Sequence, residues 1–312
     1  MLRHVLDVLD ILDSPHTSGE AVCTYLRTQA GTEADVRYET ITGESGLSTD
    51  FVQVVIPGAT GKRSGGESRT LGIIGRLGGA GARPERIGYV SDGDGATAAL
   101  SAAAKLLQMA TRGDVLAGDV IISTHVTGWA PTRPHHPVPF MDSPVDMSVM
   151  NEHEVHAEMD AILSIDTTKG NRTINHRGIA ISPTVKQGYI LPPSDDLVGV
   201  MESVTGDRAV VFPLATQDIT PYGNGLHHLN SILQPAIATS SPVVGVAITT
   251  VVPVAGCATG ASHEADIELA ARFAVETAKY YGQNEIRFHD AAEFEQLVSL
   301  YGPATALQTL GA

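Results

Sequence analysis

Apolar positions at the start of the chain recur at helical spacing. Leu2, Val5, Leu6, Leu9 and Leu12 form one stripe, and Ser14-Pro15 ends it. Thr17-Ser18-Gly19-Glu20 then predicts a second helix to about residue 29, with Thr17 or Ser18 as its cap. Residues 36–41 and 51–56 alternate as strands do, across a Gly/Ser turn. The polar stretch 62–68 predicts a mobile loop. Short apolar runs at 71–77, 119–123, 161–165, 209–214 and 243–249 have the character of buried strands. Helical stretches lie between and after them, near 95–112, 194–204, 225–233 and 263–281. Such alternation predicts a three-layer α/β/α fold, a mostly parallel or mixed central sheet with helices on both faces. No repeat or linker divides residues 1–312, so a single domain is expected. Residues 130–149 carry five prolines and little periodicity, which predicts an irregular loop or lid.

Composition narrows the function classes. The chain is 43% hydrophobic and 18% charged, the balance of a globular protein. A formal net charge of -15 opposes binding to nucleic acid or anionic membranes. No apolar run is long enough to span a bilayer, and residues 1–13 are amphipathic rather than signal-like. Two cysteines, Cys23 and Cys257, exclude a disulfide framework, and a reducing cytoplasm is the expected setting.

Candidate chemistry gathers at the ends of predicted elements. The stretch Tyr89-Val90-Ser91-Asp92-Gly93-Asp94-Gly95 reads as a strand that ends in two aspartates and enters a long Ala/Leu helix. It has no Lys and no phosphate-loop spacing, so two acids at a positive helix end invite a cation or a substrate ammonium. One of the two would serve equally as a helix cap, and which of Asp92 and Asp94 is functional stays open. Five of the twelve histidines fall between His125 and His156. His125 ends an apolar run. His135 and His136 lie in the proline-rich segment, where they could close over a site, and His153 and His156 read as solvated. Asp166 ends the run 161–165, Asp218 follows the run 209–214, and His263 opens an amphipathic helix after a glycine-rich approach. Asp92, His125, Asp166 and His263 could converge on one edge. Carboxylate with imidazole suits zinc, manganese or iron, and the lack of nearby thiolates argues a catalytic rather than structural zinc.

Several phrases carry a resemblance to a known family. Gly75-Arg76-Leu77-Gly78-Gly79, Ser91-Asp92-Gly93-Asp94-Gly95, Ile165-Asp166-Thr167-Thr168-Lys169-Gly170-Asn171-Arg172 and Gly256-Cys257-Ala258-Thr259-Gly260-Ala261-Ser262-His263-Glu264 are the matching stretches. Over nearly its whole length the chain resembles a bacterial family known as domain of unknown function 1177, which brings no activity with it. More distantly, the order of elements is similar to the co-catalytic zinc aminopeptidases and their deacylase relatives. Pro15-His16-Thr17-Ser18-Gly19-Glu20 resembles their P-S-G-x-E opening, and Asp92-Gly93-Asp94-Gly95 their D-x-K-G turn, whose aspartate bridges two metals. Ile165-Asp166 is similar to their later carboxylate ligand. Ser262-His263-Glu264 with Asp266-Ile267-Glu268 resembles their final helix, whose histidine binds metal.

The departures from that pattern are specific. Arg76-Leu77-Gly78 stands where those enzymes carry H-x-D, and an arginine cannot ligate a cation. Thr124-His125-Val126 stands where they carry a glutamate pair, and there is no room between Gly78 and Asp92 for their inserted domain. The resemblance implies a metal-dependent hydrolase of a small peptide or amide. Asp92, Asp166 and His263 would hold one divalent metal, zinc before manganese or iron, and His125 would be the general base. Arg76, or the cations Lys169, Arg172 and Arg177, would clamp a substrate carboxylate. Two other readings stand beside this one: a degenerate relative that binds a small polar ligand or assembles as a homo-oligomer, and thiol chemistry at Cys257 with His263 as base.

Overall fold

The computed structural model describes residues 1–30, 35–76, 78, 81, 88–134, 139–254, 256 and 258–310. Two helices come first, α1 (Leu2–Asp13) and α2 (Gly19–Gln29). The Ser18 hydroxyl caps α2 by accepting from the Ala21 N–H at 3.2 Å. Strands β1 (Asp35–Thr42), β2 (Ser48–Ile56) and β3 (Leu71–Gly75) follow, and helix α3 (Asp94–Thr111) leads to β4 (Val120–Val126). The chain then passes through the short pair β5 (Thr132–Arg133) and β6 (Phe140–Met141) and helix α4 (Met147–Glu154) to β7 (Ala161–Thr168). Strands β8 (Gly178–Ile181), β9 (Val185–Lys186) and β10 (Tyr189–Ile190) precede helix α5 (Asp195–Thr205). Strand β11 (Val243–Thr249) and helices α6 (Glu264–Gly282) and α7 (Ala291–Tyr301) complete the order.

The expected mixed sheet is present. Its order is β1-β2-β4-β3-β7-β11-β9-β10, with β8 also paired to β11. The centre β4-β3-β7-β11 is parallel, and antiparallel strands extend both edges. The central strands are buried along nearly their whole length, which is why they read as continuous apolar runs. The two faces are covered unequally. Helices α1, α2, α3, α5 and α6 share one large core with the sheet, whereas the other face is covered by α4 and by irregular chain around Phe212, Ile219, Ile232 and Leu233.

Four local expectations are corrected. The predicted strand before Asp92 is a single bridge, Val90 with Thr259, followed by a 3-10 turn over Ser91–Gly93. The run 209–214 contributes only the bridge from Val211 to Ile181. Residues 225–233 form turns rather than a helix, because the Asp218 carboxylate takes the Leu229 and Asn230 N–H groups that a helix would have paired. The loop 62–68 is tied to the body through Asp119, which accepts from the Arg63 N–H at 3.0 Å, and through the Lys62–Asp160 ion pair at 2.6 Å.

The topology fixes where chemistry can sit. From β3 the chain crosses through α3 to β4 on one side, and from β4 it returns to β7 on the other. That reversal opens a crevice at the carboxyl ends of β3, β4 and β7. Helix α3 starts inside it, close against the strand tips. A Cβ at Gly95 would lie 2.5 Å from the Ile165 carbonyl oxygen and 2.8 Å from that of Arg76. Gly95→Ala is therefore expected to cost about 1–3 kcal/mol through backbone displacement, read as a lower denaturant midpoint. An unchanged midpoint would show that the helix start can shift freely.

Candidate functional site

Strand register sets the site. Ile74 on β3 lies opposite Ser123 on β4 and Ser164 on β7. One pleat further toward the tips, the same face carries His125, Arg76 and Asp166 side by side. The Arg76 N–H donates to the Ile165 carbonyl at 2.8 Å, extending the register past the end of β3. Beyond β4, Thr127 pairs with Thr49 at 2.6 Å, and the chain reaches Trp129, its single tryptophan, 56% exposed.

Helix α4 covers two members of that row. The Arg76 guanidinium, 1% exposed, pairs with the fully buried Glu154 carboxylate and donates to Asn151 Oδ1 at 3.1 Å. Glu154 Oε1 lies 2.6 Å from His125 Nδ1, and the Gly78 N–H points at His125 Nε2 from 3.3 Å. The ring is oriented so that Nδ1 donates to Glu154. Burial pushes the Glu154 carboxyl up, but the charge of Arg76, then His125 and their hydrogen bonds, more than reverses this and holds it below the usual range.

The third member belongs to a second cluster. Asp166 Oδ1 accepts from the Thr167 N–H at 2.7 Å, and burial raises its carboxyl to about 7 against that bond and the charge of Arg76. Asp92 is buried. Burial first, then the charges of Asp166 and Asp94, push it up to about 8, while Lys169 opposes the shift. Its Oδ2 is buried with no hydrogen-bond partner. A Cβ at Gly256 would lie 1.7 Å from Asp92 Oδ1, so only glycine fits where the chain passes over this carboxylate. Asp94 differs from its neighbour. It pairs with Lys169 Nζ at 3.0 Å and accepts from the Ser262 and Tyr89 hydroxyls.

A family profile described as "Protein of unknown function (DUF1177)" matches residues 39–311. The chain belongs to the DUF1177 family. No curated protein matches its sequence. Among solved structures, the bottromycin maturation enzyme BotP in complex with Mn is similar at TM-score 0.54 and 15% identity, covering 90% of this chain and 70% of that one. The cytosol aminopeptidase of Coxiella burnetii is similar at TM-score 0.51 and 13% identity, with coverages of 90% and 68%. A glutaminyl cyclase of an Acidobacteriales bacterium is similar at TM-score 0.51 and 12% identity, with coverages of 91% and 94%. These likenesses show the aminopeptidase-like fold expected from the sequence.

In the DUF1177 chain the predicted site residues separate into three groups. Asp92 and Asp166 are brought together, while Arg76 beside Asp166, and His125 on the far side of Arg76, are both bound to Glu154. Lys169 is buried and bound to Asp94, so its ammonium belongs to the turn rather than to a substrate clamp. His263 is exposed at the first turn of α6, and Arg172 and Arg177 are exposed after β7. Among the described residues no group of three or more His, Cys, Asp or Glu could hold a metal ion. The expected ligand trio of Asp92, Asp166 and His263 is therefore not assembled: Ser262 reaches the turn and bonds to Asp94, but the next residue, His263, is exposed to solvent. Cys257, His135 and His136 lie outside the described residues. Among the described residues no helix is long and apolar enough to cross a membrane.

Sequence reasoning missed Glu154 and Asn151. Their i, i+3 spacing puts both on one face of α4, yet the helix is short and follows the proline-rich segment. That segment is not featureless: β5 pairs with β6, and the Asp142 N–H donates to the Pro131 carbonyl at 2.8 Å. A cavity of about 500 Å³ lies elsewhere, between the start of α5 and α7, lined by Leu191, Asp195, Arg287, His289 and Phe294.

Proposed function

We propose that the Asp92–Asp166 carboxylate pair is the working centre of the protein, holding one divalent cation and with it a small peptide or amide substrate, as a hydrolase of that class. One observation carries this reading. The buried cluster contains four carboxyl groups, Asp92, Asp94, Glu154 and Asp166, against two basic side chains, Arg76 and Lys169, and Asp92 Oδ2 has no partner. An uncompensated buried carboxylate is costly, and a divalent cation would balance the charge. The donors fit such an ion in kind: two carboxylates suit a hard cation that keeps several of its own waters. They suit manganese or magnesium better than zinc, which favours nitrogen and sulfur donors that Asp92 and Asp166 do not supply. The chemistry such an ion supplies is Lewis-acid polarisation of a carbonyl and acidification of water.

The chain's own groups have distinct parts in this reading. Lys169 and Ser262 fix Asp94, and through it the turn that carries Asp92. Arg76, anchored by Glu154, supplies a fixed positive charge beside Asp166 and has no freedom to reach a substrate. His125 holds its proton at Nδ1 toward Glu154, which supports a positioning role rather than the general-base role read from the sequence. Arg172 and Arg177, exposed on the chain leaving β7, remain available to a substrate carboxylate.

Manganese titration followed by electron paramagnetic resonance is the direct test. About one ion per chain is expected, abolished by Asp92→Asn or Asp166→Asn while the protein stays folded. Equal manganese binding in wild type and both variants would sink the proposal. A second reading, ligand binding without turnover, is favoured by the occupied state of Arg76 and His125. A dipeptide and acyl-amino-acid panel separates the two, since only a hydrolase releases free amino acid from the manganese-loaded protein.

A further inference from the structure

Asn230 is 4% exposed, and its side-chain Oδ1 and Nδ2 are both buried without a hydrogen-bond partner. An amide in that position gives up its bonds to water and gains none in return. Its backbone is held firmly. The N–H groups of Leu229 and Asn230 both donate to Asp218 Oδ1, at 2.6 and 2.9 Å. Two residues on, the Ile232 carbonyl accepts from Ser164 Oγ at 2.6 Å, and the Gln234 carbonyl accepts from Asn151 Nδ2 at 3.2 Å. Ser164 lies on the face of β7 that carries Asp166, and Asn151 is a partner of Arg76. The segment bearing Asn230 is thus laid over the sheet face that presents the carboxylate site.

The same face holds other unpaired polar atoms. Ser123 Oγ and Thr249 Oγ1 are buried without partners, Ser123 in the row of Ser164 and Thr249 one pleat past Ala247, which lies opposite Asp166. Before Asn230 the chain forms a loop with exposed Tyr222 and Leu226, braced at its base by Gln234, whose Nε2 donates to the Thr220 carbonyl at 2.7 Å. A braced loop that descends from solvent to an unsatisfied carboxamide is the arrangement of a recognition element rather than of a packed core.

We propose that Asn230 recognises a peptide-type amide of the ligand, its Nδ2–H donating to the ligand carbonyl and its Oδ1 accepting from the ligand N–H. The carboxamide is complementary to a peptide group in both donor and acceptor. This assignment rests on the reading of the Asp92–Asp166 face as the binding site.

The test uses the full chain with manganese present and two probes, alanyl-alanine and its ester analogue alanyl-lactate, which lacks the N–H. Affinities are measured by calorimetry for wild type, Asn230→Leu and Asn230→Ala, with manganese affinity measured in parallel. Wild type is expected to prefer the dipeptide by about tenfold. Both variants should lose that preference and bind the dipeptide about tenfold more weakly, with manganese affinity unchanged. The ligand-free melting temperature of Asn230→Leu should rise, since an apolar side chain replaces two unpaired polar atoms. A purely structural asparagine gives the opposite: a lower melting temperature and unchanged probe affinity, and that result overturns the assignment. If Asn230→Leu does not fold, Asn230→Ala decides on probe affinity alone. Failure of manganese to bind wild type would remove the cation reading and this assignment together. Manganese binding with no dipeptide binding would remove this assignment and leave the cation site standing.

Discussion

In the absence of divalent cations the protein is expected to lose stability as the pH rises from about 5 to about 8, by on the order of 5 kcal/mol. Asp92 and Asp166 hold their protons to about 8 and about 7 in the native state, against 3.8 for an ordinary aspartate. Across that window the native state binds more protons than the unfolded chain, so the slope of stability against pH is negative. The contribution is complete below about pH 4 and is lost as the pH climbs through the native values. His4, His156 and His289 act in the opposite sense. Burial lowers their affinity for protons, so their share of stability grows as the pH rises towards about 6.5 and is complete above it. The combined Asp92→Asn and Asp166→Asn variant separates the two effects, because it should abolish the loss and leave only the histidine rise. Millimolar manganese at the upper pH should restore most of the stability in wild type and none in the variant. Urea midpoints across the pH range measure all of this. A flat profile in wild type, unaffected by manganese, would mean that the pair is neither strained nor cation-seeking.

Glu154→Gln is expected to cost about 3–5 kcal/mol. The Arg76 guanidinium is 1% exposed, and among the described residues Glu154 supplies its only carboxylate contact. Removing that charge leaves a cation buried with two neutral acceptors, Asn151 Oδ1 and Met147 Sδ, and leaves His125 Nδ1 facing an amide. Adding Arg76→Met should recover a large part of the loss, because replacing both members of a buried pair by groups of similar volume is far milder than breaking one. The coupling energy from the double-mutant cycle is the quantity of interest. A near-zero coupling would place the Arg76 charge elsewhere than on Glu154.

The sequence and the structure agree where local pattern decides and part where tertiary contacts do. The runs in β3, β4, β7 and β11 were legible because strands buried on both faces leave no polar alternation to interpret. Helix α3 was legible from its alanines, and the Gly95 packing against Ile165 shows why the helix must begin where it does. His263 was placed correctly at the start of α6, but whether its ring would face the carboxylates depended on the path of the loop before it, which residue order does not specify. Arg76 stood out as a departure from a ligand histidine. Its partner was invisible, since Glu154 lies 78 residues away on a short helix. Asn230 carried no signal at all: an asparagine after two histidines and a leucine reads as surface loop, and only its burial without partners marks it.

The lone tryptophan gives the molecule a built-in reporter. Trp129 stands four residues beyond His125, half in solvent, just past the tip of the strand that borders the carboxylates. Its emission carries no background from a second indole. Any change in polarity at that end of β4, from an arriving ion, a seated ligand or a shift of the neighbouring chain, can be followed in unlabelled protein and in real time.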